Sequence, residues 1–225
     1  MQDAVEITDL TFSYRPPKAV LDVAQLNVAR GEKVFLHGPS GCGKTTLLGI
    51  LAGVLQAKSG SVKILGHDLA RLSGPARDRV RGAHIGYIFQ MFNLIPYLSV
   101  LDNITLPCRI SGGRSKRLNG KSAVDEARAL AGALGIDNLI AESVVDLSVG
   151  QQQRVAAARA LIGAPELIIA DEPTSALDED HRENFLTLLF KQCAAIKSTL
   201  VFVSHDRRMM PLFDRAVSLR EVNRA

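Results

Sequence analysis

Lys33-Val34-Phe35-Leu36-His37 runs into Gly38-Pro39-Ser40-Gly41-Cys42-Gly43-Lys44-Thr45, and Thr46-Leu47-Leu48-Gly49-Ile50-Leu51-Ala52 runs out of it. The central residues have the spacing G-x-x-x-x-G-K-[ST] of a phosphate-binding loop. In such a loop the glycines let successive backbone N–H groups close on phosphate oxygens, the lysine reaches the terminal phosphates, and the hydroxyl holds Mg²⁺. The expected nucleotide contacts are therefore Gly38, Ser40, Gly41, Cys42, Gly43, Lys44, Thr45 and Thr46, with Lys44 neutralising β- and γ-phosphate charge and Thr45 a metal ligand. The apolar run before the loop reads as a strand and the run after it as a helix, the order this loop requires.

A second stretch completes the chemistry. Leu167-Ile168-Ile169-Ala170 is a short apolar strand that ends in Asp171-Glu172, just before Pro173. A carboxylate at a strand end holds Mg²⁺ directly or through water, which is the role expected of Asp171. The next carboxylate, Glu172, is then left to polarise the attacking water and accept its proton.

Composition bounds the rest. At 225 residues, 47% of them hydrophobic, the chain suits one large domain or a domain with a subdomain. No uninterrupted apolar run approaches the roughly 20 residues needed to span a bilayer, so membrane association is expected through a partner. Met1-Gln2-Asp3-Ala4-Val5-Glu6 lacks the basic and then apolar layout of a signal peptide, and the cytosol is the expected compartment. Cys42, Cys108 and Cys193 lack metal-ligand spacing and read as reduced thiols, Cys42 being a small loop residue without a redox role. The net charge of +4 is mild. Its basic stretch, Arg114-Ser115-Lys116-Arg117-Leu118-Asn119-Gly120-Lys121, reads as a solvated loop, and no nucleic-acid partner is expected.

Hydrophobic periodicity orders the chain. Val5, Ile7, Phe12, then Val20, Val23, Leu26 and Val28 follow period two around Pro16-Pro17, and a further strand pair surrounds 61–66; together these predict an antiparallel β-subdomain. From about Asn93 to Ala164 the period becomes helical, notably over 123–134 and 151–162, with Gly112-Gly113 as a break between helices. A strand at 167–170, a helix at about 180–195 and a strand at 199–203 return to a mostly parallel α/β sheet whose ligand lies at the carboxyl ends of its strands. The expected division is one domain, 1–225, with 1–92 and 165–225 as the nucleotide-binding core and 93–164 as an inserted helical subdomain.

Leu147-Ser148-Val149-Gly150-Gln151-Gln152-Gln153-Arg154 resembles the L-S-G-G-Q signature of ATP-binding cassette (ABC) ATPases. The resemblance extends in family order over Tyr14, the phosphate loop, Gln90, the signature, Asp171-Glu172, Ser175-Ala176-Leu177-Asp178 and His205. It implies a P-loop NTPase core of the ABC type that hydrolyses ATP with Mg²⁺. It also implies that Tyr14 stacks on adenine, that Gln90 contacts Mg²⁺ and senses the transport partner, that His205 contacts the γ-phosphate, and that Asp178 belongs to the nucleotide site. Ser148, Gly150 and Gln151 open a predicted helix whose N-terminal amides favour an anion. In the family that anion is the γ-phosphate of the other subunit, so two copies sandwich two ATP molecules.

Val149 departs from the family pattern. A β-branched residue adopts positive φ with difficulty and adds bulk, so slower or weaker dimer closure is expected. Residues 85–107 resemble the segment after the glutamine in the MacB/LolD group, which includes FtsE-like ATPases. That implies a MacB/FtsX-like permease partner, export or extraction of substrate, and a peripheral position on the cytoplasmic face of the inner membrane. The alternative is the ATPase of an amino-acid or metal importer.

Overall fold

The computed structural model describes residues 3–225. Met1 and Gln2, on which the expected domain and the signal-peptide reading begin, lie outside the described residues. The elements run β1 (Val5–Phe12), β2 (Leu21–Val28), β3 (Lys33–His37), α1 (Lys44–Leu51), β4 (Ser59–Ile64), β5 (His67–Asp68), α2 (Gly74–His84) and β6 (Ile85–Ile88). They continue with α3 (Val100–Ile110), α4 (Gly112–Lys116), α5 (Ala123–Ala133), α6 (Val149–Leu161), β7 (Leu167–Asp171), α7 (Glu179–Ala195), β8 (Thr199–Val203), β9 (Arg215–Ser218) and α8 (Leu219–Val222). Two compact units result: the described part of Met1–Arg81 with Thr199–Ala225, and Gly82–Ser198.

The first unit holds an antiparallel sheet in the order β2-β1-β4-β5. Its alternation is not in a single phase: Val5 and Ile7 are buried, and then Leu10 and Phe12. The register of β1 on β4 shifts between Thr8 and Thr11, where Asp9 has φ 49°, so one extra residue moves the apolar set from odd to even positions. Gly60 faces this bulge at φ 83°, and a Cβ there would stand 2.3 Å from Asp9 O. No other residue fits. The same unit pairs β3 in parallel with β8 on one side and β9 on the other. Phe35 anchors its core, with ring centroids 6.2 Å from Phe202 and 5.2 Å from Phe213.

The second unit pairs β6 and β7 in parallel, and the side chains of Leu167, Ile168, Ile169 and Ala170 are fully buried. Helix α6 packs on α3 and β6, and its Val155, Ala156, Ala157, Ala158 and Ala160 are buried, small residues that permit close approach. Ser122 caps α5 and Asp178 caps α7, each accepting from the backbone N–H three residues on.

Two expectations are corrected here. The helix break falls at Ser111; Gly112 and Gly113 form the first turn of α4. The basic stretch is a solvated loop only in part: Ser115, Lys116, Asn119, Gly120 and Lys121 are exposed, but its start lies in α4, Arg114 is 2% exposed and Leu118 is buried as well. Arg114 donates from Nε to Gly82 O at 3.1 Å, from Nη1 to Ala160 O at 3.1 Å and Ile162 O at 2.5 Å, and from Nη2 to Ile85 O at 2.5 Å. Three of these carbonyls lie at the end of α6 or the start of β6, so one guanidinium fork ties the two together. Burial lowers its pKa to about 10, which leaves it charged at neutral pH. Arg117 pairs with Glu166, which also meets His84.

Candidate functional site

In the first unit the chain leaves β3 at His37 and turns into the phosphate loop. Gly41 and Gly43 have φ of 80° and 98°, and Gly43 is the residue before α1. A Cβ on Gly43 would stand 2.7 Å from Leu21 Cδ2, so both conformation and space demand glycine. No side chain caps α1, so no side-chain oxygen at the cap competes for its first-turn N–H groups. Lys44 Nζ arches back to donate to Gly38 O at 2.8 Å and Pro39 O at 3.0 Å. Those bonds hold the ammonium over the loop, where an arriving phosphate would meet it.

Tyr14 follows β1. Its ring packs edge-on against Phe12 with centroids 4.9 Å apart, and its hydroxyl lies 3.3 Å from Thr46 Oγ1. It remains 61% exposed, leaving ring surface available to a base. His205 is exposed and follows β8, and because Leu36 pairs with Val203, Gly38 and His205 leave the carboxyl ends of adjacent parallel strands. His37 is buried between these features, and its Nδ1 has no hydrogen-bond partner. Burial, and then the charge of Arg207, push its pKa down.

The second unit brings a different set together. Ile88 pairs with Ala170, so Gln90 and the pair Asp171-Glu172 also emerge from adjacent parallel strand ends. Glu172 has φ 45°. A left-handed non-glycine residue costs about 1–2 kcal/mol, and here the turn comes directly after the last residue of β7. Tyr87 feels Asp171: burial and then that carboxylate's charge raise the phenol's pKa well above its ordinary value. Within this unit the Asp171 carboxylate and the exposed Gln90 amide offer oxygen donors of the kind that Mg²⁺ takes. Among the described residues no group of three His, Cys, Asp or Glu could hold a metal ion.

Ser148 and Gln151 form a reciprocal capping box on α6, Ser148 N donating to Gln151 Oε1 at 2.8 Å and Gln151 N to Ser148 Oγ at 3.4 Å. Gly150 lies within this first turn, and Asp178 accepts from His181 N at 3.0 Å. Val149 requires a correction. It is the first helical residue of α6, so the argument from positive φ does not apply, and what remains is its half-exposed bulk.

Two residues without a role in the sequence reading shape the segment after Gln90. Phe92 and Asn93 have φ of 56° and 49°, and Arg159 of α6 donates to both of their carbonyls, at 2.5 and 2.7 Å. Asn103, fully buried, accepts from Ile95 N at 2.8 Å and donates to the carbonyls of Ile95, Leu98 and Ser99. Between these anchors Phe92 is buried, whereas Met91 and Tyr97 are 81% and 84% exposed. A side chain binding carbonyls across a turn leaves no spacing signal.

The ABC transporter family pattern matches residues 21–175. An ABC transporter ATP-binding protein of Mycobacterium tuberculosis is 40% identical over 215 residues, covering 96% of this chain and 62% of its own length. The chain thus spans less than two thirds of that relative. YbbA of Escherichia coli, also described as an ABC transporter ATP-binding protein, is 40% identical over 89% of this chain and 86% of its own. Among solved structures, the ATP-binding cassette MJ0796, a dimer in a post-hydrolysis state bound to ADP and Pi, superposes with a TM-score of 0.83. It is 32% identical over 95% of this chain and 93% of its own.

Proposed function

The chain belongs to the ABC transporter family, and on that premise we propose that it is an ATP-binding and ATP-hydrolysing subunit that powers a membrane permease. The observation that carries the reading is the phosphate loop itself, with left-handed Gly43 opening an uncapped helix and Lys44 held over the loop by two carbonyls. The roles follow from the chemistry of each group. The loop residues 38–46 and Lys44 bind the phosphates, Tyr14 offers a ring face to the base, and Glu172 accepts the proton of the attacking water. His205 contacts the γ-phosphate. Thr45, Gln90 and Asp171 would hold Mg²⁺, which bridges and neutralises phosphate charge when bound.

Ser148, Gly150 and Gln151, at the start of α6, and Asp178 meet the nucleotide of a second copy, so that two chains close on two ATP molecules. The dimeric state of MJ0796 with ADP and Pi supports this arrangement. Residues 1–92 and 165–225 serve as the nucleotide-binding core and 93–164 as the helical subdomain, in keeping with α3, α4, α5 and α6 all falling inside the latter range.

No helix among the described residues is long and apolar enough to cross a membrane. We infer that membrane coupling falls to a partner at the cytoplasmic face of the inner membrane, to which the exposed Met91, next to Gln90 in sequence, and Tyr97 offer an apolar seat. The resemblance of residues 85–107 favours a MacB/FtsX-like permease and export or extraction. Phosphate release by the purified chain tests the activity: Lys44→Ala should abolish it together with nucleotide binding, and full activity in that variant would refute the site. Tyr97→Glu should break co-purification with the permease while leaving ATP affinity intact. A co-purified permease with many helices and a binding protein would instead establish import.

A further inference from the structure

We propose that Asn223 is a positioning residue for the phosphate loop, orienting the Cys42–Gly43 peptide so that the Gly43 N–H points at the nucleotide phosphates. This rests on reading 38–45 as the ATP site. Asn223 lies just after α8, 181 residues from the loop in sequence, and its side-chain amide uses all of its common hydrogen-bonding positions. Oδ1 accepts from Asp22 N at 2.7 Å and from Ala225 N at 3.3 Å. Nδ2 donates to Val20 O at 3.0 Å and to Cys42 O at 3.2 Å. The two amide-end assignments are forced, because the Asp22 N–H needs an acceptor and two carbonyls need donors.

The consequence for the loop comes from peptide geometry. In a trans peptide the carbonyl and the following N–H point to opposite sides of the chain. Fixing Cys42 C=O toward Asn223 therefore turns the Gly43 N–H to the other side. Gly43 leans on the same strand start that Asn223 grips, since a Cβ on it would stand 3.1 Å from Val20 O. One amide thus ties the loop to the residues that the loop packs against.

The backbone of Asn223 is held independently of its side chain. Its N–H donates to Leu219 O at 2.9 Å and it bridges to Val23. Arg224 N donates to Asp22 O at 2.8 Å, and the Arg224 guanidinium pairs with the Asp22 carboxylate at 2.9 Å. Truncating the Asn223 side chain therefore removes the loop contact without undocking the tail.

The test measures ATP hydrolysis, and binding of a fluorescent ATP analogue, by the full chain carrying Asn223→Ala, Asn223→Asp, Arg224→Ala or Lys44→Ala. Losing one neutral hydrogen bond to the loop should raise Kd and KM about 3- to 10-fold in Asn223→Ala, with kcat within about twofold of wild type. Asn223→Asp keeps the shape but sets oxygen against two carbonyls, and should raise KM further. Arg224→Ala loosens the same tail without touching the loop, and should lower the melting temperature at unchanged KM. Wild-type KM in both Asn223 variants overturns the proposal. So does a fall in kcat that tracks the folded fraction at constant KM, or an equal rise in KM in Arg224→Ala. If Lys44→Ala retains nucleotide affinity, the ATP-site reading itself fails and this proposal fails with it; loss in Lys44→Ala with unchanged Asn223 variants removes the positioning role alone.

Discussion

Replacing Arg114 with methionine removes a buried cation at nearly constant side-chain length. The fork donates to four carbonyls, those of Gly82, Ile85, Ala160 and Ile162, and Arg114 is 2% exposed, so water cannot readily replace it. Each acceptor left without a donor costs about 1–3 kcal/mol, a gross loss on the order of 4–12 kcal/mol. Against this stands the several kcal/mol released when a desolvated guanidinium is no longer buried. The expected net loss is about 3 kcal/mol, with Arg114→Lys intermediate because it keeps the charge but not the fork. Urea unfolding of the full chain, followed by helical circular dichroism, reads this directly. Surface substitutions usually stay within about 0.5 kcal/mol, so a change that small in Arg114→Met would return the basic stretch to the solvent and refute the packing described for α4.

Two other perturbations test neighbouring features. Burial pushes the Glu166 carboxyl up, but hydrogen bonds from His84 and Arg117 outweigh it and hold its pKa below the ordinary carboxylate range. Its contribution to stability is therefore complete above about pH 4.3, the unfolded value, and is lost as pH falls through the lower folded value; Glu166→Gln should flatten that acid limb in a pH series of melting temperatures. Val149→Gly removes the half-exposed bulk at the start of α6, and should strengthen ATP-dependent dimerisation and raise turnover, while Ser148→Arg abolishes both; unchanged dimerisation and turnover in Val149→Gly would mean that this position never approaches the nucleotide.

What was legible in the sequence is what chemistry ties to residue type at fixed spacing. The phosphate loop, the apolar strand ending in Asp171-Glu172 and the signature that opens a helix at Ser148 each need particular residues in a particular order, and α6 and β7 begin within two residues of their expected positions. The phase change in β1 was hidden because a bulge at Asp9 alters alternation without a compositional mark. Gly112-Gly113 misled because glycine lowers helix propensity, yet α4 is held by Arg114 rather than by propensity. Arg114, Arg159, Asn103 and Asn223 share one reason for escaping notice. Each binds backbone carbonyls, which every residue supplies, so the partner sequence carries no imprint of the contact.

The claim at the centre of the account is that Glu172 takes the proton of the water that attacks ATP. Its backbone turns left-handed, at φ 45°, directly after Asp171 at the end of β7, and the proposed roles divide the two adjacent carboxylates between metal and water. Glu172→Gln preserves shape and polarity while removing the base. Measured side by side, ATP binding should remain near wild type, turnover should fall by a factor on the order of 10² or more, and ATP should trap the chain as a stable dimer visible by size-exclusion chromatography. Near-normal turnover in Glu172→Gln, with no trapped dimer, would contradict the account.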